Sequence, residues 1–295
     1  MVRQWFLRVD ERKVTVGKVI ALDIGGTHSR AAVFDGTQIV WRDQRPTPGQ
    51  LGPQGMLDTM LALVAPLRDL TVPVGVAIAG QVAGGCVTAH NSAILRGWQA
   101  YPLAAAMGDA LQRPVQVFND ARAAAWAEYA FGAGRGCSEF LFVTVSTGVG
   151  AGLVLGGHLH LARNGMDAEL GETLLPDGRT LEDHVSGAAL GRLAQQHGHA
   201  DARALCDAAD AGDAAAEAVL RDGIRQLAAK LADLSVMLGI QRSAIGGGLG
   251  LRPGYLERLR EELHRLPALY HHEMMRAELG ADAGLHGVAA LASAG

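Results

Sequence analysis

The chain has 295 residues, 26 basic against 30 acidic with no basic run, and that balance argues against a nucleic-acid surface. An apolar fraction of 49% with 39 glycines and 5% aromatic residues fits an alanine- and glycine-rich α/β enzyme, long enough for two ordinary domains. Cys86, Cys137 and Cys206 give neither a disulfide framework nor a CxxC metal pair, and with no signal-peptide core and no apolar run of about 18 residues a soluble, cytoplasmic protein is expected.

Residues 1–17 form a charged leader holding Arg3, Arg8, Arg12 and Lys13, with no role assigned. Residues 18–22 read as a short buried strand that enters the turn Asp23-Ile24-Gly25-Gly26-Thr27, and residues 30–34 as the strand leaving it. Asp35-Gly36 is a two-residue hairpin signal leading to a third strand from Gln38. Apolar spacing predicts a helix over 56–70, a strand over 73–79, a helix over 103–111 and a strand over 115–118. Asn119-Asp120 then opens an alanine-rich helix over 121–129.

The next stretch looks like the first again. Residues 140–145 (FLFVTV) are a strand, followed by the turn Ser146-Thr147-Gly148-Val149-Gly150, a strand over 152–155, the turn Gly156-Gly157 and a strand over 158–161. A shift of 121 positions sets Val33-Phe34-Asp35-Gly36 on Val154-Leu155-Gly156-Gly157, and one glycine turn on the other. The repeat implies two α/β lobes of similar design, each presenting a glycine hairpin to a shared interlobe cleft. From residue 188 the chain reads as largely helical, broken by a strand and glycine cluster over 244–250. The lobes are set at 18–118 and 119–282, with an apolar last helix over 283–294 returning to the first, and a hinge in place of a linker.

Consecutive N–H groups in the turn at Gly25, Gly26 and Thr27 form an anion-binding concavity, and glycine lets a phosphate come close. An ordinary hairpin turn has the same composition, but the duplicate at Thr147-Gly148 is hard to explain as folding chemistry alone. Asp23 beside the turn is suited to holding Mg²⁺ through water. Gly246-Gly247-Gly248-Leu249-Gly250 suits a flat nucleoside lying against backbone, and no Walker A pattern occurs. Asn119 and Asp120 are preferred N-cap residues, and Asp120 is also a strand-end carboxylate able to accept a hydroxyl proton; the two uses are compatible. Glu169, Glu172 and Glu182 can bridge sugar hydroxyls, although surface acids are far commoner than ligands. His184, His271 and His272 read as structural or solvated, since no His/Cys spacing suits a transition metal.

In this order the motifs resemble the ROK family of bacterial sugar kinases over residues 19–292. The family's DxGGT stands at 23–27 and its catalytic ND at Asn119-Asp120. Its second phosphate turn stands at 144–150, its nucleoside loop at 245–250 and its closing segment at 282–287. The resemblance implies an α/β, actin- and hexokinase-like (ribonuclease H-like) ATPase fold, ATP with Mg²⁺, Asp120 as general base, and a homodimer. It implies sugar contacts from Glu169 and Glu182, which Asn119, Asp120 and Glu172 join. ATP falls to Asp23, Gly25, Gly26, Thr27, Thr147, Gly148, Gly247 and Gly248. Three departures bear on the sugar and on metal. Glu172 replaces the family histidine, and PDGRTLE replaces the cysteine segment of a structural zinc site, so no zinc is expected. Ile94 aligns with the usual sugar-facing asparagine, which leaves Asn91 as the substitute, and His28 stands where many members have lysine. Within the family the wording of NDARAAAWAEY, VTVSTGVG, GGLGLRPGYL and DAGLHGVAAL points to N-acetylmannosamine, taken to its 6-phosphate in sialic-acid breakdown, with glucose or N-acetylglucosamine as alternatives. A regulatory ROK protein would need a helix-turn-helix before the first strand, for which about 18 residues are too few. An inactive sugar-binding relative is opposed by retention of Asp23 and Asp120.

Overall fold

Strand β1 (Val19–Ile24) is buried along its length, as a run apolar but for Asp23 requires in a sheet covered on both faces. It belongs to a computed structural model that describes residues 17–89 and 96–294. β1 pairs antiparallel with β2 (His28–Asp35), which pairs antiparallel with β3 (Gln38–Pro46) beyond the Asp35-Gly36 turn. Gly36 has φ 60°, the left-handed conformation such a short turn demands. Helix α1 (Gly52–Val64) starts earlier than the predicted 56–70 and ends before Pro66, which cannot continue an α-helix; Ala65–Leu67 tighten into a 3₁₀ turn.

β4 (Val74–Ile78) returns parallel to β1, and a ribbon of β5 (Gln81–Ala83) and β6 (Cys86–Thr88) follows. Helix α2 (Leu103–Leu111) leads to β7 (Val115–Asn119), parallel to β4, and then to helix α3 (Asp120–Phe131). The first sheet therefore has the order β3-β2-β1-β4-β7. Ile20, Leu22, Met56, Met60, Trp98 and Leu103 lie in its core.

The second sheet is built from β8 (Phe140–Val145), β9 (Val149–Leu155), β10 (His158–Leu159), β11 (Arg242–Gly246) and β12 (Glu273–Arg276) in the order β10-β9-β8-β11-β12. Its antiparallel hairpin beside two parallel strands repeats the topology of the first. Between β10 and β11 run α4 (Glu182–Val185), α5 (Gly187–Gln196), α6 (Ala202–Asp210) and α7 (Ala214–Leu238). Asp213 caps α7 by accepting from the N–H groups of Ala215 and Ala216, and Gly239 with φ 68° ends it. α8 (Tyr255–His264) precedes β12, and α9 (Ala283–Ser293) closes the described chain.

Two compact units result. One holds the described residues up to Ala130, His158–Asp167 and the stretch from Ala281 onward, so it continues past residue 118 through α3. The other holds Phe131–Gly157 and Ala168–Gly280. α9 lies against β4 in the first unit, where a Cβ at Gly75 would stand 2.8 Å from Ala292 and 2.9 Å from Val288. Among the described residues no helix is long and apolar enough to cross a membrane.

Candidate active site

In the first unit the hairpin register sets Asp23 opposite Arg30, and Arg30 Nη2 lies 2.5 Å from Asp23 Oδ2. Arg30 Nη1 also donates to the carbonyl of Ala281 at 2.7 Å and stands 3.7 Å from Asp282. Burial raises the Asp23 carboxyl to about 6; Arg30 opposes the rise, and Asp120 and Asp282 add to it. Gly284, in the first turn of α9, makes room for this carboxylate, since a Cβ there would stand 3.1 Å from its Cγ. Next to Asp23 the turn is closed by Gly25 N–H donating to His28 O at 3.1 Å, and Thr47 Oγ1 donates to Gly25 O at 2.7 Å. Gly26 and Thr27 are exposed.

At the corner between β7 and α3 the two adjacent polar residues divide their tasks. Asn119 Oδ1 accepts from the Arg122 N–H at 3.1 Å, which makes it the N-cap, and its Nδ2 donates to Gly80 O at 3.0 Å. Asp120 is half-buried as the first residue of α3, and its Oδ1 accepts from the Ala121 N–H at 2.8 Å. Its charge, like that of Asp282, acts on Asp23, so these carboxylates share one neighbourhood.

In the second unit Ser146 N–H donates to Gly148 O at 2.9 Å, and the carbonyls of Ser146 and Thr147 accept from Gly187 (2.7 Å) and Ala188 (3.2 Å), the first amides of α5. Gly148 lies against Glu182: a Cβ there would stand 2.7 Å from Oε2, which accepts from the Val149 N–H at 2.8 Å. Burial pushes the Glu182 carboxyl up, the Val149 bond pulls it down, and Glu172 and Asp183 push it up further. Glu172 is exposed, and half-buried Glu169 precedes the 3₁₀ turn Leu170–Glu172. The structure thus brings Glu182 and Glu172 together beside the glycine turn.

Beyond β11, Gly247 has φ 83°, and a Cβ on it would stand 2.4 Å from Val145 O. Gly248 faces open space and, with Thr147, lines a cavity of about 690 Å³. Its other walls include Ala188 of α5, Ala202, Arg203 and Cys206 of α6, and Leu249 and Arg252. Arg252 is held by Asp207 and, at 2.7 Å, by Asp210. Gly148 makes room for the Glu182 carboxylate and Gly247 for the Val145 backbone, and neither lines the cavity. The cysteine-free loop before Glu182 is closed by protein groups: Asp177 Oδ2 stands 2.9 Å from both Arg179 Nε and His184 Nε2. The Arg179 backbone N–H and then its guanidinium hold the Asp177 carboxyl down at about 2. His184, read from the sequence as structural or solvated, is a partner in this closure.

Asn91 and Ile94 lie outside the described residues. Arg30, Arg203 and Arg252 escaped the sequence reading. Arg30 had a signal, because any hairpin centred on Gly26-Thr27 sets residue 23 against residue 30. Arg203 and Arg252 had none.

A chain whose two sheets repeat one strand order, each with a glycine turn between its first two strands, has the actin- and hexokinase-like fold of ROK sugar kinases. A ROK family glucokinase from Streptomyces griseus, solved with glucose and AMPPNP, aligns with a TM-score of 0.79 at 30% identity, covering 95% of this chain and 100% of that one. A ROK hexokinase from Thermus thermophilus aligns with a TM-score of 0.78 at 32% identity, covering 94% and 97%. The ROK family model matches residues 19–294, and the chain belongs to the ROK family. It is 40% identical over 279 residues to the bifunctional enzyme NanE/NanK of Brucella melitensis, covering 93% of this chain but 54% of that protein, so it spans about half the length of that relative. It is 37% identical over 285 residues to the N-acetylmannosamine kinase of Escherichia coli, covering 92% of this chain and 97% of that enzyme.

Proposed function

We propose that the chain is an ATP-dependent sugar kinase that phosphorylates N-acetylmannosamine on its 6-hydroxyl. The observation that carries this reading is the Asn119-Asp120 corner, where Asn119 caps α3 and ties to Gly80 while Asp120, accepting from the Ala121 N–H, sets a carboxylate at the start of α3 close enough to act on Asp23. Asp120 takes the proton of the attacking hydroxyl as that oxygen bonds to phosphorus and the bond to ADP breaks. The turns at Gly25–Thr27 and Thr147-Gly148 receive phosphates on backbone N–H groups, and Gly248 meets the nucleoside at the cavity wall, with Gly247 making the turn against Val145 that places it. Glu182, Glu172 and Glu169 hold ring hydroxyls, with Asn119 and Asn91 completing the sugar contacts. The contact of Gly148 with Glu182 supports this division, since it sets a sugar-holding acid beside a phosphate turn. Phosphoryl transfer is mostly positioning plus charge stabilisation, so this modest set of groups suffices in kind.

Asp23 fits Mg²⁺ held through water: one of its oxygens already accepts from Arg30, which suits an outer-sphere contact better than direct ligation. When bound, Mg²⁺ neutralises charge on the phosphates. The Asp177, Arg179 and His184 closure supports a fold that needs no zinc. Balanced charge supports small-molecule partners only, free cysteines support a cytoplasmic setting, and the family resemblance supports a homodimer.

The choice of sugar rests on the relative from Escherichia coli, matched over 97% of its length. ADP release with N-acetylmannosamine, N-acetylglucosamine, mannose and glucose tests it, with the highest kcat/KM expected for the first. If glucose or N-acetylglucosamine wins by about tenfold, the specificity fails and the kinase stands. No release with any sugar overturns both.

A further inference from the structure

We infer that Arg122 and Asp167 are a positioning pair that fixes the first turn of α3, and with it Asp120, for proton transfer; this rests on the kinase reading. Both residues lie in the first unit, and their side chains are each 3% exposed. Arg122 Nε stands 2.5 Å from Asp167 Oδ2 and donates to the Asp167 carbonyl at 3.0 Å, while Nη2 donates to the Gly165 carbonyl at 3.0 Å. The backbone that receives the guanidinium is itself held. Gly165 has φ 69°, a Cβ there would stand 2.5 Å from Val82 O, and Gln81 Nε2 donates to Asn164 O at 2.5 Å.

The same arginine closes the cap, because its N–H is the donor to Asn119 Oδ1, and Asn119 is tied in turn to Gly80. Asp120 therefore sits between two anchored positions, 119 and 122. A buried ion pair is weak evidence for stability, since replacing both partners with apolar residues of similar volume is often neutral or stabilising. What the charged pair supplies beyond packing is direction: a planar fork of donors that admits one placement of the helix start.

The experiment compares the full-length wild type with Arg122→Lys and with Arg122→Met combined with Asp167→Leu. It measures the melting temperature, kcat, and KM for ATP and for the best sugar of the panel. The double variant is expected to melt at or near the wild-type temperature with KM for ATP unchanged and kcat lowered about 10- to 100-fold, the scale of a misplaced catalytic group. Arg122→Lys keeps the charge, loses the fork and falls between. A double variant that melts like the wild type and keeps its kcat makes the pair structural only and overturns the inference. If the double variant does not fold, a folded Arg122→Lys with wild-type kcat overturns it equally. An active wild type separates these outcomes from failure of the kinase reading, whereas a wild type without sugar-dependent ADP release defeats both.

Discussion

Asn119 and Asp120 are adjacent and chemically alike, yet Asn119 caps α3 and ties to Gly80 while Asp120, accepting from the next N–H, sets its charge close enough to act on Asp23. Asp120→Asn tests that division. Asparagine keeps the shape and can still accept from the Ala121 N–H, so the corner survives while the proposed proton acceptor is lost. Turnover should fall about 10²- to 10⁴-fold with KM for ATP little changed; near-native kcat in the variant means that another group takes the proton. This corner was legible because capping preference and strand-end position are both local. The Arg122–Asp167 pair was not, because its members are 45 residues apart and only the folded chain brings them together. Glu172 and Glu182 were legible as candidates from spacing, but the position of Glu182 at the Val149 N–H required the tertiary structure.

The central strands and α2 could be read from the sequence because each is a clean apolar run or a regular helical stripe between turn residues. β5, β6 and β12 have only three or four residues each, too few for periodicity to register. Glycines inside helices were also opaque, since sequence alone does not say whether the missing side chain matters. Two of them now separate. A Cβ at Gly287 of α9 would stand 1.7 Å from the Ala123 carbonyl oxygen, a backbone contact that no rotamer relieves. Gly287→Ala should destabilise the protein by about 1–3 kcal/mol or more as α9 is forced off α3. At Gly191 of α5 a Cβ would meet nothing within 4 Å, so Gly191→Ala should stabilise by about 0.5–1 kcal/mol through the smaller entropy of the unfolded chain. Urea titrations of both variants check the pair, and equal effects of the same sign would refute the contact argument.

For the molecule as a whole, Asp23 sets the requirement of the site against stability. The proposed role beside the glycine turn calls for the ionised form; buried, the group resists ionisation, and Arg30 compensates only in part. Its carboxyl is raised from 3.8 to about 6, so folding favours the protonated form. Below pH 3.8 the group is neutral in both states and its contribution to stability is fully present. As pH rises toward about 6 the unfolded chain ionises first, and stability is lost by about 3 kcal/mol before the effect levels off above the folded value. Asp23→Asn removes this titration while keeping an acceptor for Arg30. Unfolding free energies of wild type and variant, measured by urea at pH 4, 5, 6 and 7 without nucleotide, should therefore diverge. The wild type should lose ground to the variant from pH 4 to about 6 and hold a constant deficit beyond it. A difference that stays flat, or that favours the wild type as pH rises, would mean that Arg30 outweighs burial and that Asp23 carries its charge at no cost to the fold.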